Sequence, residues 1–390
     1  MKNKSEIFWL HSHTLMSTGG TRFIFEVLSR LAKKHSVTLV VEKTSKEWRT
    51  KFESQYVRVV ELGGLSSTSN IYWLLFPVFY LVRFFQLRAI LPKNAMVIST
   101  MFPFHSLATK LSINTIYYCF EPFAFFHDSE LICTFPKVKQ ILLRVLRTCY
   151  GWLDRQGVRQ SKLLISINPS VGRSVASVYD RVPDGYSYLG VNTDSFQPKK
   201  NIKNERFTFF HSTDFTSLKG TWFLLHALPL MKVNNYIVNI SETIRDNAEF
   251  EKMQRYIQEN ELEKHVQFLG QLSYKDLQKK YQESDAYVFV GDPESKGATS
   301  ASLSVLEASA CELPVIRSIG NDDEILENQT GVYVNPRNPE EIVKVMEFFI
   351  RNPQKAKKMG ACGRTHILKN YQWDQVTDRI QKQVEGLQHS

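Results

Sequence analysis

The stretch KGATSASLSVLEASACELPVI, Lys296–Ile316, decides the fold. It reads as a helix that starts from a loop of small residues and ends before a short apolar run. One acid, Glu307, sits where the apolar residues are densest. With Ser300 near the helix start, seven residues make almost two turns, so Ser300, Ser304 and Glu307 share a face. Side chains tilt toward the helix N-terminus, so Glu307 leans back toward the loop. The preceding DAYVFVG, Asp285–Gly291, has the continuous apolar character of a strand buried on both faces. Strand, loop and helix in this order form one unit of a parallel sheet, and ligands bind such sheets at the carboxyl ends of the strands. The exposed amides and positive helix end suit a diphosphate. A carboxylate two turns down is placed to accept hydrogen bonds from sugar hydroxyls. Taken alone, Glu307 would be an ordinary helix residue at an apolar border; its surroundings give it weight.

Working outward, the same alternation fills the chain. FTFFHS, YIVNIS, VQFLG, PVIRS and GVYVNP read as strands with helices between them. In the first half, IFWLHS is followed by a Gly-bearing loop, MSTGGT, then by a helix with Phe23, Val27, Leu28 and Leu31 on one face, then by HSVTLVVEK. That is a βαβ unit. Residues 184–206, polar and rich in Gly and Pro, are the best linker. The expectation is α/β architecture: two doubly wound domains in series, the first spanning 1–186 and the second 187–370.

A chain of 390 residues with 43% apolar and 23% charged residues has enough apolar content for two cores and is not of the disordered class. Its net charge of +10 is unevenly placed. Residues 1–190 carry 24 Lys+Arg against 12 Asp+Glu, net +12; the remainder carries 25 against 27, net −2. A basic half suits an anionic partner such as a membrane surface. No nucleic-acid motif is visible, so nucleic acid is not expected. The five cysteines have no CxxC spacing, which predicts reduced, buried thiols in a cytoplasmic setting rather than a zinc site or disulfide framework. The run Ile71–Leu91 is interrupted by Pro77, Arg83, Gln86 and Arg88. It reads as a core or membrane-contacting helix in preference to a span. His11 and His13 alternate on a strand without a third ligand, so no metal is expected.

Several segments together resemble the group 1 glycosyltransferases, glycosyltransferase family 4, of GT-B fold. They are STGGTRFIFEVLSRLAKKHSVTLVV, LGVNTDSFQP, SLKGTWFLLHAL, VQFLGQLSYKDLQKKYQESDA, the stretch from Ser284 through Leu326, and MGACGRTHILKNYQWDQV. Each is weak alone; their order and spacing are specific, and they cover almost the whole chain. The resemblance implies two doubly wound Rossmann-like domains facing a central cleft, with a terminal helix, 371–390, packing back on the first domain, and a retaining hexosyltransferase of surface polysaccharide or glycoconjugate synthesis. It would use a GDP- or UDP-sugar, GDP-mannose among them, and a glycan or lipid-linked acceptor, without a metal cofactor. It further implies that Lys219, beside Gly220, grips the donor diphosphate, that Glu307 binds ribose, and that Gly19 and Gly20 let the first loop approach a ligand closely. Thr299, Ser300, Ala301, Ser302 and Leu303 would form the helix mouth.

Two features depart from that family. Its first acid falls at Thr299, with Glu294 in the same loop, and its usual Arg falls near Asp214; Arg317 is the candidate to supply the missing charge. In the first domain, Phe120 stands where relatives place a sugar-contacting His or Gln. Glu121 and Pro122 match a Glu-Pro pair of one subgroup, and His105 is the nearest candidate histidine. These departures leave two alternatives, a non-catalytic partner subunit and a nucleotide-sugar epimerase of the same fold.

Overall fold

The strands are short and mostly buried, which explains why they appear in the sequence as apolar runs with little alternation. In the computed structural model, which describes residues 5–16, 18–198, 204–216, 219–292, 302–319 and 324–388, they form two separate parallel sheets. The chain divides into two compact units, Met1–Tyr188 with Trp373–Ser390, and Leu189–Gln372.

The first unit holds seven strands: β1 (Glu6–Thr14), β2 (Ser36–Thr44), β3 (Arg58–Glu61), β4 (Met96–Ser99), β5 (Asn114–Cys119), β6 (Leu163–Ser166) and β7 (Gly185–Tyr186). Their order is β3-β2-β1-β4-β5-β6-β7, and every pairing is parallel. The order reverses between β1 and β4, the switch point where open sheets of this kind bind ligands. β3 and the helix Lys46–Ser54 before it were not anticipated: β3 has four residues, two of them charged, too little pattern to stand out. The terminal helix Trp373–Gln388 belongs to this unit, where Trp373 meets Phe23 edge-on at 5.8 Å and Asp374 accepts from Arg30 at 2.6 Å.

The second unit holds β8 (Phe207–Thr213), β9 (Tyr236–Glu242), β10 (Val266–Gln271), β11 (Ala286–Phe289), β12 (Val315–Ser318) and β13 (Gly331–Val334). Their order is β10-β9-β8-β11-β12-β13, also wholly parallel. Its switch point lies between β8 and β11. Phe209, Val238, Ile240, Val288 and Ile316 fill the core between sheet and helices.

Two expectations need correction. Of the five cysteines, Cys119 and Cys311 are buried, but Cys133, Cys149 and Cys362 are exposed; they occupy outward positions of helices whose other residues make the apolar pattern. The helix expected to start near Ser300 runs Leu303–Ala310, with Ser302 as its cap. No helix among the described residues is long and apolar enough to cross a membrane.

Candidate functional site

The second unit gathers charged and aromatic residues at the carboxyl ends of β8, β11 and β12, around its switch point. Gly220 caps the helix Thr221–Ala227 in the left-handed region, at φ 76°. A Cβ there would lie 2.0 Å from the Val290 carbonyl oxygen, so glycine is required both by conformation and by close approach to the loop after β11. This contact fixes Lys219 beside β11. Its ammonium lies 5.4 Å from the Phe289 ring centroid and 4.0 Å from Asp214. Desolvation lowers the Lys219 pKa below the ordinary lysine value; Asp214 opposes the shift and Arg317 adds to it.

Phe289 pairs in register with Arg317 on β12. The guanidinium lies 4.4 Å from the Phe289 ring centroid, so both cations address this one ring. Arg317 itself is fully buried and forms an ion pair with Glu324 at 3.1 Å. The expected supply of charge by Arg317 is therefore directed inward, onto a carboxylate. The other Glu324 oxygen accepts from the Ser302 amide at 2.7 Å. The helix Leu303–Ala310 has no acid in its own first turn, and Glu324 supplies that complement to the helix dipole from a distant segment. A diphosphate at this helix mouth would meet a Ser302 amide already engaged. Ser302 Oγ is 2.7 Å from Ser304 Oγ. Thr299, Ser300 and Ala301, with Glu294, lie outside the described residues.

Glu307 is buried in the second turn of the same helix and accepts from the Tyr281 hydroxyl at 3.3 Å. Burial, then the neighbouring Tyr287 and Glu307, push Tyr281 well above the ordinary tyrosine value, so it stays a neutral donor. Behind the strands, His211 is buried with Nδ1 2.8 Å from the Val288 carbonyl and Nε2 2.9 Å from Thr221 Oγ1. Burial lowers its pKa to about 4, and this neutral ring joins β8, β11 and the Lys219–Gly220 turn. Phe289, Glu324, Tyr281 and His211 escaped sequence reasoning. The only available signal was the position of Phe289 at the end of the strand before the key helix.

In the first unit, Gly19 and Gly20 open the helix Gly19–Leu31, capped by Thr18, whose side chain accepts from the Thr21 amide at 3.2 Å. This places them in a first helical turn instead of a loop. A Cβ on Gly20 would meet only Thr18 Oγ1, at 3.9 Å, so packing within the chain does not demand glycine there.

His105 is fully buried, with Nε2 3.1 Å from an Asp154 carboxylate oxygen. His127 approaches the other oxygen at 2.8 Å, and the Tyr179 hydroxyl donates to Asp154 at 3.4 Å. Burial alone would raise the Asp154 pKa, but its hydrogen bonds from His105 and His127 hold it below the ordinary value. Thus His105, expected to meet a sugar, is placed to orient Asp154 and the helix Lys137–Gln160. Glu121 follows β5, and burial, with Asp128 adding, raises its pKa to about 7. Its folded pKa exceeds the unfolded one, so it opposes folding progressively as pH rises from the ordinary glutamate range through about 7. Glu121→Gln should therefore melt higher than the parent protein at pH 8, and equally at pH 4. Melting scans at the two pH values check this; an equal difference at both would remove the titration.

Two wholly parallel, doubly wound units in one chain are the architecture of the GT-B fold. Residues 192–366, within the second unit, match the family model of the "Glycosyl transferases group 1". A GDP-mannose-dependent alpha-(1-6)-phosphatidylinositol monomannoside mannosyltransferase of Mycolicibacterium smegmatis is 26% identical over 211 residues, covering 50% of this chain and 55% of the relative. The Alpha-1,3/1,6-mannosyltransferase ALG2 of Mus musculus is 26% identical over 218 residues, covering 53% of this chain and 48% of that protein. The chain thus spans about half the length of the curated relatives it matches. Among solved structures, a glycosyltransferase from Rickettsia africae superposes with a TM-score of 0.73 at 17% identity, covering 99% of both chains. Anabaena HepE in complex with UDP gives 0.71 at 12% identity, covering 98% of this chain and 100% of that one.

Proposed function

We propose that the protein is a retaining hexosyltransferase of glycosyltransferase family 4 that takes a nucleoside diphosphate sugar, GDP-mannose or a UDP-hexose, and transfers the sugar to a glycan or lipid-linked acceptor. The observation that carries this reading is the placement of Lys219 and Glu307 around one switch point, a cation after β8 and a buried acid in the helix after β11. Lys219 meets the diphosphate and stabilises the charge that develops on it as the glycosidic bond breaks. Glu307, positioned by Tyr281, accepts from the ribose hydroxyls. In this reading a lysine stands where a divalent metal would otherwise meet the diphosphate. The Mycolicibacterium smegmatis relative, GDP-mannose-dependent by name, supports GDP-mannose.

A thermal-shift screen of nucleotide sugars tests the donor. One sugar nucleotide should raise the melting temperature of the parent protein, and Glu307→Gln, which keeps an acceptor for Tyr281, should lose the shift while melting normally without ligand. Stabilisation by no nucleotide at all would favour the non-catalytic partner subunit. Conversion of donor without an acceptor would favour the epimerase.

A further inference from the structure

We propose that the outward faces of the helices Phe76–Ile90 and Lys137–Gln160 form the surface by which the first unit lies on an anionic lipid bilayer.

The first observation is an inversion of the usual helix pattern. In Phe76–Ile90 two of the polar residues that interrupt the apolar run, Arg83 and Gln86, turn inward, while Arg88 is exposed one turn beyond Phe85. Arg83 is buried, 3.4 Å from the Glu42 carboxylate, and it donates to the carbonyls of Gly63 and Leu65 at 2.9 and 2.7 Å. Gln86 donates to the Leu62 carbonyl at 2.9 Å. Glu42 also accepts from the Ser67 amide and hydroxyl, at 2.7 and 2.8 Å. This network fixes the rotation of the helix about its axis. What it turns outward is apolar: Val78, Leu81, Val82 and Phe85, spaced three, one and three residues apart, are all exposed. Phe85 is 63% exposed, and the stripe continues back through Leu74, also 63% exposed, and Ile71. Large apolar side chains in a contiguous outward row mark an interaction surface, whereas scattered ones would be ordinary.

The second observation is on Lys137–Gln160. Val138, Ile141, Val145 and Trp152 fall in one stripe at helical spacing and are all exposed, Trp152 at 58%. Lys137, Arg144 and Arg155 recur at intervals of seven and eleven residues, so they form a second exposed row beside the first. An apolar row flanked by cations is the pattern of a helix lying in the plane of a membrane interface. The two helices share one core: Phe76 meets Tyr150 at 4.8 Å, and Leu143, Leu146 and Leu153 pack in the same cluster as Tyr72 and Trp73. Their outer rows therefore lie on neighbouring helices of one body.

Charge selects the occupant. A second copy meeting this face would bring two surfaces of a half carrying net +12 against each other, which like charge opposes. An anionic bilayer supplies both the opposite charge and a medium for the apolar rows. The inference does not rest on the donor reading, since it concerns only the first unit.

The test uses the full chain. It should sediment with phosphatidylcholine vesicles that contain phosphatidylglycerol and stay in solution with pure phosphatidylcholine vesicles, and added salt should weaken the association. Tryptophan emission should shift to the blue on binding, and Trp152→Phe should abolish that shift. Replacing Arg144 and Arg155 with Gln should weaken partitioning about fivefold per cation. Leu81→Ser with Phe85→Ser should weaken it at least as much. All are surface changes, so melting temperature and nucleotide-induced stabilisation should match the parent. Three results would overturn the proposal: parent protein that ignores the anionic vesicles, variants that bind them as well as the parent does, and concentration-dependent self-association abolished by Leu81→Ser with Phe85→Ser. Nucleotide stabilisation is measured without vesicles, so these failures remain distinct from failure of the donor reading.

Discussion

Replacing Lys219 with alanine is expected to lower transfer by roughly 100- to 1,000-fold, the usual loss when a donor aimed at transition-state charge is removed. The ammonium is held by three constraints that the sequence alone does not show together: the Gly220 turn against Val290, the Phe289 ring, and Asp214 at the limit of an ion pair. Lys219→Arg should rescue poorly, because a planar fork needs different geometry from a point charge. The pH dependence carries a sign. Burial depresses the Lys219 pKa in the free protein, and a bound diphosphate favours the charged form. Affinity for GDP or UDP should therefore be complete below the depressed pKa and fall as pH rises through it, at lower pH than for an exposed lysine. Calorimetric titration across the alkaline range should show proton uptake on binding by the parent and not by Lys219→Ala. Equal affinity and equal proton uptake in both proteins would remove Lys219 from the diphosphate site.

The parts of this arrangement that were legible in the sequence are those written in contiguous residues. β8, β11 and β12 stand out because strands buried on both faces must be apolar throughout. Glu307 stands out because nothing around it is charged. Lys219 and Gly220 are adjacent, and a lysine followed by a glycine at a helix start carries its own meaning. The illegible parts depend on pairing at a distance. Glu324 lies in a polar stretch with several acids, and only three-dimensional placement shows that it binds both Arg317 and the Ser302 amide. Arg317 is plainly at a strand end, but whether its charge faces a ligand or a carboxylate depends on that distant partner. His105 is the nearest candidate histidine in the sequence, which hides its neighbour: a Cβ on Gly157 would lie 2.5 Å from its ring, which shows how closely the helix Lys137–Gln160 covers it. Arg83 looked like an interruption of an apolar helix, and its partner Glu42 lies 41 residues away.

Removing the Glu324 carboxylate should be a costly single change to the stability of the second unit. Glu324→Ala takes away the anion facing a fully buried guanidinium, and breaking such a pair from one side typically costs about 3–5 kcal/mol. It also strips the Ser302 amide of its acceptor at the start of a helix with no acid of its own in the first turn. Glu324→Gln separates the two roles. Its amide oxygen still accepts from Ser302, so what it loses is the charge on Arg317. Urea unfolding should rank the proteins parent, Glu324→Gln, Glu324→Ala. Arg317→Met combined with Glu324→Leu should recover most of the loss, because no buried charge then lacks a counterpart. If the double replacement is no more stable than Glu324→Ala, the ion pair is not what the helix and β12 share. The same series reads function. The Arg317 guanidinium lies 4.4 Å from the ring that Lys219 also addresses, so Glu324→Gln, which removes the negative charge facing it, should bind a nucleoside diphosphate more tightly while folding less stably. In the parent protein, pairing the arginine inward leaves Lys219 as the more accessible of the two cations and confines the positive charge exposed at this switch point.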